Sequence, residues 1–293
     1  MTPLAELFPD GDYRFHLTLR RGEPREFFRP RDVTGGILAE RARWLAADCS
    51  ATGAAKAEPA RHAALMPESE PLLAEFAALC AQWDLLGTRR PRRVSSDAGD
   101  DACGPSDELL FALGTTLEPD FLLLSPDTTG AFRLRGGVLC FPTGWALAEK
   151  IGHPLDFIHG VVPGLNAALA SPIQQFLARL KPGIAFHRDN WGLAATDELN
   201  LHPARGLPAP APPVALERLW LRVEHQALVA LPRTGGVVFG IRIALHRLDA
   251  VARDAAAAAG LRRALATMPA ELAAYKRLAG VRDEVGRRLI TIK

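Results

Sequence analysis

Chemistry in this 293-residue chain could come from its histidines, from one short charged segment, or from its cysteines. The eight histidines include His153, His159, His187, His202, His225 and His246, and no spacing among them alone defines a metal site. His159 stands apart. In Phe157-Ile158-His159-Gly160-Val161-Val162-Pro163-Gly164 its imidazole has apolar neighbours and one small residue, a setting that keeps it neutral and able to ligate a metal. A hydrogen-bonded structural role is the commoner alternative for any single histidine. In Arg222-Val223-Glu224-His225-Gln226, strand alternation places Arg222, Glu224 and Gln226 on one face, where a carboxylate could hold or deprotonate a cationic ligand. The alternative is a solvated outer face with an ordinary ion pair. Cys49, Cys80, Cys103 and Cys140 form no C-x-x-C pair, which argues against a disulfide framework, a zinc ribbon or an iron–sulfur site.

Other classes drop out on the same grounds. The chain has no G-x-G-x-x-G after a strand, no P-loop, no G-x-S-x-G and no H-E-x-x-H. Its 35 basic and 33 acidic residues leave a net charge of +2 and are interspersed, so no extended field attracts nucleic acid or anionic lipid. The densest basic cluster, Arg89, Arg90, Arg92 and Arg93, precedes Asp97, Asp100 and Asp101 and reads as a solvated loop. Met1 to Asp12 lacks the order of a secretory leader, and no apolar run reaches the roughly 18 residues of a spanning helix. A cytoplasmic protein with neither a nucleic-acid nor a membrane partner is the expectation.

The elements that must position these residues follow from periodicity. Helices are expected over Ile37–Asp48 and Pro71–Trp83, with polar connections over Cys49–Pro59 and Arg89–Pro105. Phe121–Leu124, a turn at Ser125–Gly130 and Ala131–Phe141 read as a hairpin. Thr143 can cap a helix Gly144–Ile151 that stops at Gly152, and Ser171-Pro172 can start a fresh helix reaching Lys181. Leu219–Leu228 and Val237–Leu245 alternate and form an antiparallel pair. Its polar face is expected to gather Arg222, Glu224, Gln226 and Arg242, with Gly240 leaving room for a flat group. Leu248–Leu265 and Ala270–Leu289 are helical by period.

The longer runs resemble one family. Gly137-Val138-Leu139-Cys140-Phe141-Pro142-Thr143-Gly144-Trp145, Ile158-His159, Arg188-Asp189-Asn190-Trp191 and Leu221-Arg222-Val223-Glu224-His225-Gln226-Ala227-Leu228 are similar to the alpha subunits of heme-dependent oxidative N-demethylases. So is Leu231-Pro232-Arg233-Thr234-Gly235-Gly236-Val237-Val238-Phe239 followed by Ile241-Arg242, and the matches keep the same order from about Tyr13 to Leu245. His225, Ala227, Gly160-Val161 and Gly240 depart from the family pattern, which bears on substrate choice.

The resemblance implies an α+β fold, a PAS-like antiparallel sheet with helices on one side and further helices at both ends. One domain over 1–293 with a core at roughly 107–246 is expected. It implies heme b, held non-covalently since C-x-x-C-H is absent, and oxidation of a small methylated amine such as dimethylamine by dioxygen, releasing formaldehyde. Electrons would come from a flavin and iron–sulfur reductase subunit, and a folate-binding subunit would capture formaldehyde. His159 is the expected iron ligand, with His187, His225 and Cys140 behind it. Glu224, with Arg222 and Gln226, is expected to handle the amine. Arg222, Arg233 and Arg242 are expected at the heme propionates, and Asn190 and Trp191 in the cofactor pocket. A non-catalytic heme-binding or ligand-sensing PAS-like protein is the alternative, weakened because the C-terminal helices show no heptad pattern.

Overall fold

A computed structural model describes residues 3–50, 61–86 and 104–290, with backbone only at 49 and 50. The connections expected at 49–59 and 89–105, the basic cluster and Cys103 fall wholly or mostly outside the described residues. The chain runs β1 (Arg20–Gly22), α1 (Pro24–Phe28), α2 (Gly36–Ser50), β2 (Ala63–Leu65), α3 (Glu70–Gln82), α4 (Pro105–Thr116), β3 (Asp120–Pro126), β4 (Phe132–Val138), α5 (Leu155–Gly160), α6 (Leu165–Ala178) and β5 (Ala185–Ala194). It continues through β6 (Trp220–Leu231), β7 (Gly236–Arg247), α7 (Leu248–Val251), α8 (Ala255–Thr267), α9 (Ala270–Tyr275) and α10 (Arg282–Arg288).

The seven strands form one antiparallel sheet in the order β1-β5-β6-β7-β3-β4-β2. Numbered along the chain from β3, its five central strands lie in the order 2-1-5-4-3, the PAS-like arrangement. The longest pairing is β6 with β7, in register from Trp220↔Arg247 to Leu231↔Gly236. Its turn is closed by a left-handed Gly235 (φ +70°) and by Glu75 of α3, whose buried carboxylate accepts from the amides of Arg233 (2.6 Å) and Thr234 (2.8 Å).

Alternation sends neighbouring residues of β3 to two different cores. Phe121 and Leu123 join the cluster under α1 to α4, with Leu72, Leu73, Phe76 and Cys80 of α3 and Leu113 of α4. Leu122 and Leu124 join the opposite cluster with Leu177 of α6, against which Ile158 of α5 packs. The helices between β4 and β5 therefore cover one face of the central sheet, and the additional N-terminal helices cover the other. The C-terminal helices build a third cluster around Leu221, Val223 and Trp191. Among the described residues, no helix is long and apolar enough to cross a membrane.

Four expected helices are corrected. Leu248–Leu265 breaks at 252–254 into α7 and α8, where Asp254 caps α8 by accepting from the amides of Ala256 and Ala257, and Ala270–Leu289 breaks at 276–281 into α9 and α10. Gly144–Ile151 holds only a 3-10 turn at Leu147–Glu149, and the Thr143 hydroxyl accepts from Arg222 instead of capping a helix. Pro172 sits inside the continuous α6, because Leu169, Ile173 and Leu177 keep one apolar stripe across it and outweigh one lost backbone hydrogen bond.

Candidate functional site

A cavity of about 500 Å³ lies between the sheet and α5, closed by the N-terminal segment around Tyr13 and by the C-terminal helices. Its apolar wall comes from Leu122, Leu124, Leu134, Phe239 and Ile241 of the sheet and from Leu155, Ile158, Val162 and Leu165 beside α5 and α6. A few polar groups converge on it: His159, Glu224, Gln226, Arg188, Asn190, Lys150 and Lys276. Size, apolar lining and sparse polar groups are those of a ligand or cofactor site.

The β5–β6 register explains the polar wall. Arg188 pairs with Gln226 and Asn190 with Glu224, so all four residues share a face. Glu224 Oε2 accepts from Asn190 Nδ2 (3.2 Å) and from Gln226 Nε2 (2.8 Å). These amides orient the carboxylate without neutralising it. Gln226 Oε1 is buried and has no hydrogen-bond partner among the described residues. Trp191 packs edge-on against Phe8, 5.3 Å between ring centroids, and its carbonyl accepts from Lys276 Nζ at 2.8 Å. Burial brings the Lys276 ammonium down to about 8, against an opposing pull from Glu224.

His159, on α5, lines the cavity, and its ring makes no hydrogen bond among the described residues. Burial, reinforced by the charge of Arg188, pushes its imidazole down to about 4. It is therefore neutral near pH 7, with both ring nitrogens unclaimed. Among the described residues no group of three or more His, Cys, Asp or Glu side chains could hold a bare metal ion. A lone neutral imidazole against an apolar wall instead fits an iron whose other ligands come from a macrocycle. Lys150 and Arg14 line the same cavity and could meet propionates.

The arginines expected at the propionates lie elsewhere. Arg222, 1% exposed, shares the strand face of Glu224, but its guanidinium is enclosed by the Thr143 hydroxyl (2.9 Å) and by the carbonyls of Phe141 (2.9 Å) and Leu199 (2.7 Å). Arg233 sits on the exposed β6–β7 turn beside Glu75. Arg242 pairs in register with His225, which puts it on the face opposite Glu224, bonded to Glu118 and to the carbonyls of Phe27 and Arg29 (both 2.8 Å). None of the three lines the cavity. The flat groups beside Gly240 are the chain's own, since a Cβ there would stand 2.6 Å from the Phe27 ring and 2.9 Å from that of Phe28.

His187 and His225, the alternative ligands, also lie off the cavity wall, and His225 Nδ1 is 2.6 Å from Asp189 Oδ1. Cys140 is wholly buried and its thiol is pushed up to about 12 by burial. Arg188, Lys150, Tyr13 and Lys276 were not anticipated as site residues. Alternation from Asn190 would have found Arg188. Nothing local marks Lys276, which reaches the site only because the C-terminal helices fold back.

The model of the family described as haem-dependent oxidative N-demethylase, alpha subunit-like, matches residues 55–286, a span that takes in β2 to β7, the wall of Glu224 and Arg188, His159, and the C-terminal helix bearing Lys276. The chain belongs to that family.

Proposed function

We propose that this chain is the heme-binding catalytic subunit of an oxidative N-demethylase acting on a small methylated amine, with one non-covalent heme b in the 500 Å³ cavity. The observation that carries this is the presence of two groups on the wall of one largely apolar cavity: the unbonded, neutral imidazole of His159 and the amide-held carboxylate of Glu224. His159 would hold the iron, and Lys150 and Arg14 would take the propionates. When bound, the heme supplies the capture and reductive activation of dioxygen.

The chain's residues handle the amine. An alkylammonium is cationic at neutral pH, so Glu224 holds it and takes its proton. Asn190 and Gln226 keep that carboxylate aimed, and the leucine wall excludes water. Overall, one N-methyl amine with one dioxygen, two electrons and two protons yields the amine bearing hydrogen in place of methyl, one formaldehyde and one water. The electrons come from a flavin and iron–sulfur reductase subunit, and a folate-binding subunit captures the formaldehyde. Membership of an alpha-subunit family supports such a multi-subunit assembly.

Hemin titration tests the reading. The Soret band and tryptophan quenching should saturate at one heme per chain, and His159→Ala should change the ferric spectrum with little change in the urea unfolding midpoint. A titration without saturation, or a variant spectrum identical to the parent's, overturns the heme site or its ligand respectively.

A further inference from the structure

Arg188 and Glu224 occupy diagonal positions across β5 and β6, on the same face and on the wall of the same cavity. Side chains so placed are within easy reach of each other. They nevertheless form no ion pair. Glu224 Oε2 is engaged by two neutral amides, while the Arg188 guanidinium makes no hydrogen bond and no ion pair among the described residues. Arg188 is half-buried, and burial lowers its guanidinium while the charges of Glu224 and Asp189, neither in direct contact with it, oppose that shift. Beside the free side of Glu224 stands a second open acceptor, the buried, unpartnered Oε1 of Gln226.

We infer that this wall is a slot for a zwitterion: a secondary N-methyl amino acid whose ammonium lies on Glu224 and Gln226 and whose carboxylate lies on Arg188. The inference rests on the amine-demethylase reading and narrows its substrate class. A secondary ammonium has two N–H donors, matching the open acceptors on Glu224 and Gln226. A carboxylate matches the two-pronged guanidinium fork, which a simple dialkylamine would leave unpaired. In an α-amino acid the two charges are joined through one carbon, so a single small molecule can span diagonal neighbours. A site built around buried polar groups discriminates strongly against a ligand that leaves them unpaired.

N-methylglycine and dimethylamine are both secondary ammonium ions with one reactive N-methyl group in common, and they differ by a carboxylate. Calorimetric titration of the heme-loaded full chain should show N-methylglycine binding about ten- to a hundred-fold more tightly, the range of one charge-assisted contact. Arg188→Gln should erase that ratio and Arg188→Lys should restore part of it, with the circular dichroism spectrum unchanged in both. Equal affinities for the two amines would overturn the inference. So would an Arg188→Gln protein that sheds heme while keeping the ratio, since the guanidinium would then serve a propionate. If hemin itself fails to saturate, the heme reading fails separately, and the same two titrations on the heme-free chain decide the slot.

Discussion

Two arginine–carboxylate arrangements in this sheet invite comparison: Arg41 with Asp120 at the start of β3, and Arg188 with Glu224 in the cavity. The first is closed. Both residues are 0% exposed, Arg41 Nη1 is 2.5 Å from Asp120 Oδ1, and the remaining acceptor capacity of Asp120 goes to the amides of Cys140 (2.7 Å) and Phe141 (2.8 Å). Arg41 also donates to the Gly114 carbonyl at 2.8 Å, and of its nitrogens only the buried Nη2 lacks a hydrogen-bond partner among the described residues. The second is open, with the carboxylate on neutral amides and the guanidinium making no hydrogen bond or ion pair among the described residues, though the charges of Glu224 and Asp189 act on it. Closure ties α2, α4, β3 and the start of the Phe141–Thr143 loop together, while openness leaves charge available to a ligand. The difference teaches that a buried ion's partners, and not its residue type, separate scaffold from site.

Breaking the closed pair should have the largest effect. Asp120→Ala strands the Arg41 guanidinium and two amides in the core, and loss of one partner of a buried pair costs about 3–5 kcal/mol. Urea unfolding should read that loss. A loss below about 1 kcal/mol would mean that Asp120 is solvated and that the two pairs do not differ in kind. In the open pair the effect should move from stability to turnover. Glu224→Gln keeps an oxygen for Asn190 and Gln226, so stability should stay within about 0.5 kcal/mol of the parent. Formaldehyde release should fall by about one to two powers of ten, the loss of a charged contact to the ammonium. An unchanged rate with heme retained would return Glu224 to the scaffold.

The face of Gly240 gives a smaller test. Gly240→Ala pushes a methyl group into the Phe27 and Phe28 rings, and overpacking of this kind costs about 1–3 kcal/mol. Hemin stoichiometry should be unaffected, because that face is away from the cavity. Weakened heme uptake without loss of stability would place the cofactor on the Gly240 face.

Gly240 also marks a limit of what was legible in the residues. The hairpin of β3 and β4, the long β6–β7 pair and helices α2 and α3 all followed from period and turn residues, within a residue or two at most helix ends. So did the sharing of a face by Arg222, Glu224 and Gln226. Which face of β7 lies beside it did not. Alternation groups Gly240 with Arg242, but the register Arg242↔His225 and Ile241↔Gln226 is set by the turn between the strands. The cavity wall beside Glu224 is therefore Ile241 and Phe239, and Arg242 is spent on Glu118. The propionate candidates were chosen by residue type, and type says nothing about whether backbone carbonyls elsewhere in the fold already claim a guanidinium, as they do for Arg222. Lys276 was illegible for a different reason: a lysine at the end of a short surface-like helix gains meaning only once α9 closes over Trp191.

Lys276 also supplies the smallest expected effect, and one with a definite sign. Burial lowers its ammonium from 10.5 to about 8, with Glu224 opposing that shift and Arg188 adding to it. Between about pH 8 and 10.5 the folded chain has therefore released a proton that the unfolded chain still holds. Stability must rise with pH wherever the unfolded state binds more protons, so this residue is a liability at neutral pH that is relieved across that window. Lys276→Met keeps most of the side-chain volume and removes the titration, at the cost of the hydrogen bond to the Trp191 carbonyl. The parent should gain on the order of 1–2 kcal/mol relative to the variant between about pH 7.5 and 10.5, allowing for residual solvent screening. Tyr13 and Tyr275, both raised by burial, are common to the two proteins and largely cancel in the difference. Urea midpoints measured in steps across this range should therefore diverge. Parallel curves would show that Lys276 keeps an ordinary ammonium in water, and the cavity would lose one of the charges that set it apart from the closed network at Asp120.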